Sequence, residues 1–258
     1  MSKFLENIEA CGYYVEKNIN FSCDFLERLR LDVFKWINIC NRIQVDAGIS
    51  LSGDGTAHHT LGGNDAIQEL VVTHPFDNQI SEFFQHMPYV LHACNPVSGA
   101  PGIGGYIRNI HRDTATYIEN YRFRINVLLA LEDFTEENGA TKILPFPFSQ
   151  NEKPSDDYFH NNHISIKLKK GEVLFFNSYL WHCGGENRTS QMRPAVTLSY
   201  NPPFIKQQFD YVKIMGDNYF LSATEKTKQV LGYNSRVPTT LTEWYKPKNQ
   251  RFYKAEQG

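Results

Sequence analysis

The first clear pattern along the chain is a run of apolar positions at helical spacing over residues 22–40. Its members are Phe25, Leu26, Leu29, Val33, Phe34, Trp36 and Ile37. Ser22 comes just before the run, and its hydroxyl can accept a hydrogen bond from the first helical turn. The spacing therefore predicts a helix here, and a second helix is predicted over residues 79–92.

From residue 106 onward the pattern changes to short apolar runs and alternations typical of β-strands. These runs are 106–110, 124–131, 164–168, 173–176 and 196–200. A turn-forming stretch at 135–139 separates two of them, and a shorter run over 12–19 also fits a strand. The pattern predicts a mainly β fold with flanking helices, in the form of a sandwich or barrel.

Glycine- and proline-rich stretches predict loops at 52–65 and 95–105, and the first contains His58 and His59 as a candidate lid. No repeat or linker divides the chain. We therefore expect a single domain over 1–258, with a helical N-terminal part and a β core at about 106–204. After residue 205 we expect an irregular segment, with helix only around 222–231.

Composition narrows the class of protein. The net charge of -2 provides no basic field for nucleic acid or anionic lipid. No run reaches the roughly 18 apolar residues of a membrane helix, and the start lacks the apolar core of a signal peptide. The five cysteines form no C-x-x-C pair and indicate reduced thiols in a cytoplasmic protein, with Cys183 as a packing residue.

Three separated side chains carry the candidate chemistry: His111, Asp113 and His182. With nine histidines and 28 acidic residues in the chain, about one His-x-acid pair is expected by chance. The H-x-D pair alone therefore indicates little. Two histidines and one carboxylate can nevertheless bind one face of a ferrous ion and leave the opposite face open. Arg193 follows His182 by eleven residues and could hold a carboxylate of a co-substrate. We expect these two residues on the adjacent strands of a hairpin that turns at Gly184-Gly185.

Three segments resemble one family. The stretch His182-Cys-Gly-Gly-Glu-Asn187-Arg-Thr189-Ser-Gln-Met-Arg193 is similar to the pattern H-x4-N-x-[ST]-x3-R of phytanoyl-CoA-dioxygenase-like oxygenases. Ala130 to Gly139 resembles the family's A-L-D-D-x-T-x-x-N-G segment, and Gly12-Tyr-Tyr-Val resembles its N-terminal G-Y-x-V. The resemblance spans about residues 8–204 and implies a double-stranded β-helix, or jelly roll. One departure is Pro145 to Gln150, where the family usually has P-G-S-H.

The resemblance implies Fe(II), the co-substrate 2-oxoglutarate and dioxygen. His111, Asp113 and His182 would be the iron ligands. Arg193 would pair with the C5 carboxylate of 2-oxoglutarate, and Thr189 would donate its hydroxyl to the same group. Asn126 is a further candidate near the co-substrate, because it is polar within an apolar strand; an ordinary hydrogen-bonded core amide fits that position equally well.

The implied reaction is oxidation of a C–H bond of a small molecule, with hydroxylation as the default outcome and succinate and CO2 as co-products. Desaturation, ring closure and epoxidation use the same ligands, whereas the carboxylate of Asp113 argues against halogenation. Two alternatives stay open: a metal-dependent hydrolase or cupin-like enzyme with the same His/Asp/His site, and a binding or sensor protein without turnover. An arginine cluster indicates either an anionic substrate or a solvated strand face. Its members are Arg108, Arg112, Arg122 and Arg124.

Overall fold

The computed structural model describes residues 1–49, 55–102, 106–149 and 152–257. In chain order the elements are α1 (Lys3–Cys11), β1 (Tyr13–Glu16), α2 (Cys23–Asp46), α3 (Ala66–Val72), α4 (Asp77–Phe83), β2 (Val90–Gly99), β3 (Ile125–Ala130), β4 (Lys142–Ile143), α5 (Asp156–Asn162), β5 (Ile164–Ser165), β6 (Val173–Asn177), β7 (His182–Cys183), β8 (Arg193–Asn201), α6 (Tyr211–Ser222), α7 (Glu225–Leu231) and α8 (Leu241–Trp244). Single 3-10 turns cover Tyr106–Arg108, Tyr233–Ser235 and Lys248–Gln250.

The strands form two antiparallel sheets. The larger has the order β1-β6-β3-β8-β2, and the smaller has the order β5-β4-β7. An isolated bridge between His111 and His182 extends the smaller sheet beyond β7. Adjacent strands of the larger sheet, such as β3 and β6, are not consecutive in the chain, because the intervening strands β4 and β5 belong to the smaller sheet. The chain therefore crosses between the two sheets.

Both faces of the larger sheet are buried, and each face has its own partner. Ile125, Val127 and Leu129 of β3 point to one side and pack against α2, α3, α4 and α7. Leu128 and Ala130 point to the other side and pack against residues of the smaller sheet such as Ile143. This two-sided burial explains why β3 is an unbroken apolar run apart from Asn126.

The predicted helix at 22–40 is confirmed as α2, and Ser22 accepts a hydrogen bond from the amide of Phe25. The prediction of a helix over 79–92 is wrong beyond Phe83. Gln85 and His86 adopt left-handed backbone angles (φ 56° and 61°), which end the helix before β2 begins.

The predicted start of the β core at 106 is wrong, because β1 and β2 both belong to the larger sheet. Pro96 and Gly99 suggested a loop, yet proline is tolerated in β2 because this strand is at the sheet edge. Part of the predicted loop 52–65 runs beside β2, with Thr56 paired to Val97; residues 50–54 and 103–105 lie outside the described ranges. The expected strand at 106–110 instead begins with a 3-10 turn.

The C-terminal segment is not irregular. It contains α6 as well as α7, and Tyr211, Leu231 and Tyr233 are fully buried in the cluster between the larger sheet and the helices. These residues pack on the same core as the N-terminal helices, in keeping with the single domain that we predict. None of the helices in the described ranges is long and apolar enough to cross a membrane.

Candidate functional site

His111, Asp113 and His182 converge at one end of the space between the sheets. Each offers a donor atom, and these atoms lie within 4.8 Å of one another. Backbone pairing positions the two histidines: the amide of His111 donates to the carbonyl of His182 at 3.0 Å, and the reverse bond measures 2.8 Å. The bridge places the two rings side by side, with their centroids 4.3 Å apart.

The hydrogen bonds of both imidazoles define which nitrogen is available to a metal. His111 Nδ1 lies 2.7 Å from the carbonyl oxygen of Asn109, and His182 Nδ1 lies 3.0 Å from that of Leu180. A carbonyl only accepts, so each neutral ring carries its proton on Nδ1 and has a free lone pair on Nε2. Backbone acceptors orient metal-binding histidines in the same way.

Both Nε2 atoms face the carboxylate of Asp113. His111 Nε2 lies 3.7 Å from Oδ1, and His182 Nε2 lies 3.6 Å from Oδ2, which is too long for hydrogen bonds. Donors that share one transition-metal ion at about 2.1 Å each lie roughly 3–3.5 Å apart, so the spacing suits such an ion. Burial lowers the pKa of His182, which favours the neutral ring that a metal requires.

A chain of hydrogen bonds fixes Asp113 to the larger sheet. Asn126 Nδ2 donates to Asp113 Oδ2 at 2.7 Å, and Ser199 Oγ donates to Asn126 Oδ1 at 2.7 Å. Asn126 and Ser199 are direct cross-strand partners on β3 and β8. On the other side, the ring of Phe176 packs edge-on against His182 at 5.0 Å.

Arg193 begins β8 and is only 5% exposed. Its guanidinium lies 3.9 Å from the ring centroid of Phe134, and its Nε and Nη1 have no hydrogen-bond partner. Burial lowers the pKa of Arg193 to about 10, so the side chain is still charged at neutral pH. A buried cation without a counter-ion is unfavourable by several kcal/mol, and an anionic ligand would remove that penalty.

Asn187 organises the loop between His182 and Arg193. Its Nδ2 donates to the carbonyls of Gly99 (2.8 Å) and Gln191 (2.7 Å), and its Oδ1 accepts from the hydroxyl of Thr189 (2.7 Å). The loop also packs on the turn that begins at Thr135. There, Gly139 has φ +83°, and a Cβ at this position would meet the carbonyl oxygen of Gly185 at 2.6 Å.

A family model described as Phytanoyl-CoA dioxygenase (PhyH) matches residues 28–195. The chain belongs to the phytanoyl-CoA dioxygenase family. The matched range includes His111, Asp113, His182 and Arg193, and the predicted family is confirmed.

The alignments between this family member and its sequence relatives cover only part of each protein. An uncharacterized protein of Mycobacterium tuberculosis, Rv1501, is 35% identical over 148 residues, which cover 57% of this chain and 54% of that protein. Dioxygenase trt7 of Aspergillus terreus is 30% identical over 171 residues, covering 59% and 56% respectively. The chain thus spans about half the length of the curated relatives it matches.

Solved structures resemble this family member in fold. EctD from S. alaskensis, crystallised with 2-oxoglutarate and 5-hydroxyectoine, aligns with a TM-score of 0.58 at 17% identity over 78% of this chain and 76% of that chain. AviO1 from Streptomyces viridochromogenes Tue57 aligns with a TM-score of 0.57 at 17% identity over 77% and 93%. The predicted jelly-roll class, mainly β with flanking helices, is confirmed.

Three further residues singled out in the sequence of this phytanoyl-CoA dioxygenase family member contact protein groups: Thr189, Asn126 and Cys183. The single hydroxyl proton of Thr189 is directed within its own turn, to Asn187 Oδ1 and the Gln191 carbonyl. The predicted bond to the co-substrate would require this proton to leave those acceptors. Both ends of the Asn126 amide bond to protein groups, so contact with Asp113 is its observed role. Cys183 points away from His182 into a buried cluster with Phe159, as predicted, and burial raises its pKa to about 11.

The expected hairpin between His182 and Arg193 is wrong. β7 belongs to the smaller sheet and β8 to the larger, so the connection crosses between sheets. The segment from Pro145, which differs from the family pattern, contacts the core between the sheets through Phe146. Ser149 Oγ accepts a hydrogen bond from the amide of Trp181. Gln150 lies outside the described residues. Sequence reasoning missed Ser199 and Gly99, because only strand register brings them to the site. It also missed the structural role of Asn187, which depends on a hydrogen bond to the distant carbonyl of Gly99.

Proposed function

We propose that this protein is an Fe(II)- and 2-oxoglutarate-dependent dioxygenase that oxidises, by default hydroxylates, a C–H bond of a small molecule. In the balanced reaction, one atom of dioxygen enters the product hydroxyl and the other enters succinate. The carboxyl group that 2-oxoglutarate loses leaves as CO2. The observation that carries the proposal is the convergence of His111, Asp113 and His182, with both Nε2 lone pairs directed at one carboxylate.

His111, Asp113 and His182 would hold the metal, and the two-nitrogen, one-oxygen donor set suits Fe(II). Bound there, Fe(II) would supply the activation of dioxygen that side chains cannot provide. The protein's own contribution is geometric. The carbonyls of Asn109 and Leu180 orient the imidazoles, and Asn126 orients the carboxylate.

Arg193 would bind the C5 carboxylate of 2-oxoglutarate. Its planar fork suits a carboxylate, and the apolar surroundings strengthen the attraction because little water competes. Gly99 pairs with Arg193 across β2 and β8, and a Cβ there would lie 2.9 Å from Nη2, so glycine leaves room for the guanidinium.

A hydrolase could use the same three donors, but its reaction requires no carboxylate at the buried guanidinium of Arg193. A sensor protein would bind 2-oxoglutarate without forming succinate. The buried, unpaired cation therefore favours an enzyme with an anionic co-substrate over a hydrolase. Formation of succinate distinguishes the proposed dioxygenase from a sensor.

The test begins with spectroscopy without oxygen. Addition of Fe(II) and 2-oxoglutarate should give a weak visible charge-transfer absorption, which Arg193→Gln loses unless 2-oxoglutarate is greatly increased. Arg188→Gln is the matched control, because Arg188 is an exposed arginine of the same loop. With oxygen, the wild type should release succinate slowly even without primary substrate. Iron binding without this absorption, or activity that is indifferent to 2-oxoglutarate, would contradict the proposal.

A further inference from the structure

A second guanidinium, that of the half-buried Arg124, lies next to the candidate metal centre. Arg124 immediately precedes β3 and is two residues from Asn126, so both side chains are on the face that meets the smaller sheet. Its Nη1 donates to the backbone carbonyl of Asp113 at 2.8 Å, which holds the group beside the H-x-D segment. Its Nε is buried and has no hydrogen-bond partner.

The charge of Arg124 has no salt-bridge partner in the described ranges, whereas two other members of the arginine cluster pair with carboxylates. Arg122 pairs with Glu9, and Arg108 lies 3.4 Å from Glu186. Arg112 lies over Trp181, whose side chain belongs to the cluster on the outer side of the smaller sheet. Arg112 likewise lacks a salt bridge among the described residues. Arg124 is the member of the cluster that lies on the Asn126 side of β3, where the carboxylate of Asp113 acts on its charge without forming a salt bridge.

Two buried polar side chains next to Arg124 also have an unused atom. Asn201 follows Ser199 on the same face of β8, is 0% exposed, and its Oδ1 has no partner. Because Ile125 pairs with Tyr200, Arg124 and Asn201 occupy the next positions of the two strands. The Nδ2 of Asn201 is occupied by the carbonyls of Pro202 and Ile205, so Oδ1 is the atom left for a ligand.

His92 completes this group from the edge strand. It lies where the β2–β8 register shifts between Leu91 and Ala93, and such a bulge redirects a side chain. The ring bonds to the backbone of Lys206, its Nδ1 is buried without a partner, and the charges of Arg124 and Asp113 both act on it. Its neutral Nδ1 is therefore a hydrogen-bond acceptor close to Arg124.

We propose that Arg124, Asn201 and His92 bind the polar end of the primary substrate, a small carboxylic acid with a hydroxyl or amine next to its carboxylate. The carboxylate would accept from Arg124 Nε, and the neighbouring donor would satisfy Asn201 Oδ1 or His92 Nδ1. Aromatic rings continue outward from Arg124 through Phe123 to Tyr179, and offer apolar surface to the rest of such a molecule. This assignment rests on the proposed function, in which Asp113 is committed to the metal and Arg193 to 2-oxoglutarate.

The test measures binding by calorimetry without oxygen, using the full chain both metal-free and saturated with Fe(II) and 2-oxoglutarate. The four probes are 2-hydroxyhexanoate, its primary amide, hexanoate and hexyl phosphate. We expect wild type to bind the hydroxy acid about tenfold or more tightly than the amide, because the amide lacks the charge that Arg124 recognises. Arg124→Gln should remove this difference, whereas Arg193→Gln should preserve it in the metal-free protein.

His92→Leu is the second variant, in case Arg124→Gln disturbs the H-x-D segment. It should reduce the preference for the hydroxy acid over hexanoate roughly fivefold, an effect on a ratio that general destabilisation does not produce. Three results would overturn the assignment. The first is equal binding of the hydroxy acid and its amide by wild type, and the second is tighter binding of hexyl phosphate than of the hydroxy acid. The third is binding of the hydroxy acid that depends on Arg193 in place of Arg124. Titration of 2-oxoglutarate alone separates the two proposals: if it binds through Arg193 while no probe depends on Arg124, only the subsite fails.

Discussion

Asn126 Nδ2 donates to Asp113 Oδ2 at 2.7 Å, and the carbonyl end of the same amide accepts from Ser199. One core side chain on β3 thus sets the orientation of the candidate carboxylate ligand. The carboxylate group of Asp113 comes from outside the regular strands, so this hydrogen bond is what joins it to the rigid sheet.

Asn126→Ala should therefore weaken metal binding by roughly 10- to 100-fold, the usual effect of removing a group that orients a ligand. Ser199→Ala should weaken it less, because Asn126 still bonds to Asp113. The measurement is competition for Fe(II) or Zn(II) against a chelator. Unchanged metal affinity in Asn126→Ala would show that Asp113 does not need this hydrogen bond.

Gly99 leaves the space in which the Arg193 guanidinium lies. Gly99→Ala would place a Cβ 2.9 Å from Nη2 and 3.2 Å from Nε, while the backbone angles at this position suit any residue. The guanidinium would have to move, so we expect 2-oxoglutarate affinity to fall about tenfold or more, with metal affinity unchanged. Isothermal titration without oxygen measures both affinities.

Ser98→Ala is the matched control for Gly99→Ala. Ser98 is the preceding residue of β2, and its hydroxyl has no hydrogen-bond partner, so its removal should leave 2-oxoglutarate binding as it is. Equal effects of the two substitutions would mean that β2 as a whole is sensitive, and that Gly99 has no special relation to Arg193.

Gly139 is required by both its backbone and its surroundings. Gly139→Ala combines a φ of +83° with a Cβ only 2.6 Å from the carbonyl oxygen of Gly185. We expect the free energy of unfolding to fall by about 3 kcal/mol or more, as measured by urea denaturation. Gly48→Ala is the control for backbone strain alone: its φ is +72° with open space around it, and the expected loss is about 1 kcal/mol. Similar losses for the two variants would contradict the close packing of the two family motifs.

His74 makes stability depend on pH. Burial, and then the charge of Lys226, lowers the pKa of His74 to about 4, while Nε2 bonds to the hydroxyl of Thr227 at 2.9 Å. As pH falls, the unfolded chain takes up a proton on this residue before the folded protein does. The stability associated with neutral His74 is therefore fully present above about pH 6.5 and is lost progressively toward about pH 4.

His74→Gln should make the free energy of unfolding decline less steeply between about pH 6.5 and pH 4.5, as followed by urea denaturation. Some slope should persist, because burial also lowers the pKa of His92 to about 4. His160→Gln, at an exposed position, should keep the wild-type slope. A His74→Gln profile as steep as that of the wild type would contradict this account.

Elements that depend on near neighbours in the chain are predictable from the sequence, whereas elements that depend on distant partners are not. The helix after Ser22 and the turn from Thr135 to Asn138 could be predicted, because spacing, capping and turn hydrogen bonds involve near neighbours. The strand β2 was missed because Pro96 and Gly99 read as a loop, and only its position at the sheet edge makes proline acceptable there. The C-terminal α6 was missed because its burial comes from distant partners.

By itself, the sequence determined the family and the set of side chains able to bind a metal and a carboxylate. The spacing of Asn187, Thr189 and Arg193 from His182 can be recognised in the sequence without any knowledge of the fold. Only the tertiary structure decided that His182 and Arg193 lie on different sheets, that Asn126 and Ser199 hold Asp113, and that Arg124 donates to the backbone of Asp113. The physical reason is strand register. A shift of one residue would turn Asn126, Ser199 and Arg193 to the opposite face, and register is set by packing between residues far apart in the chain.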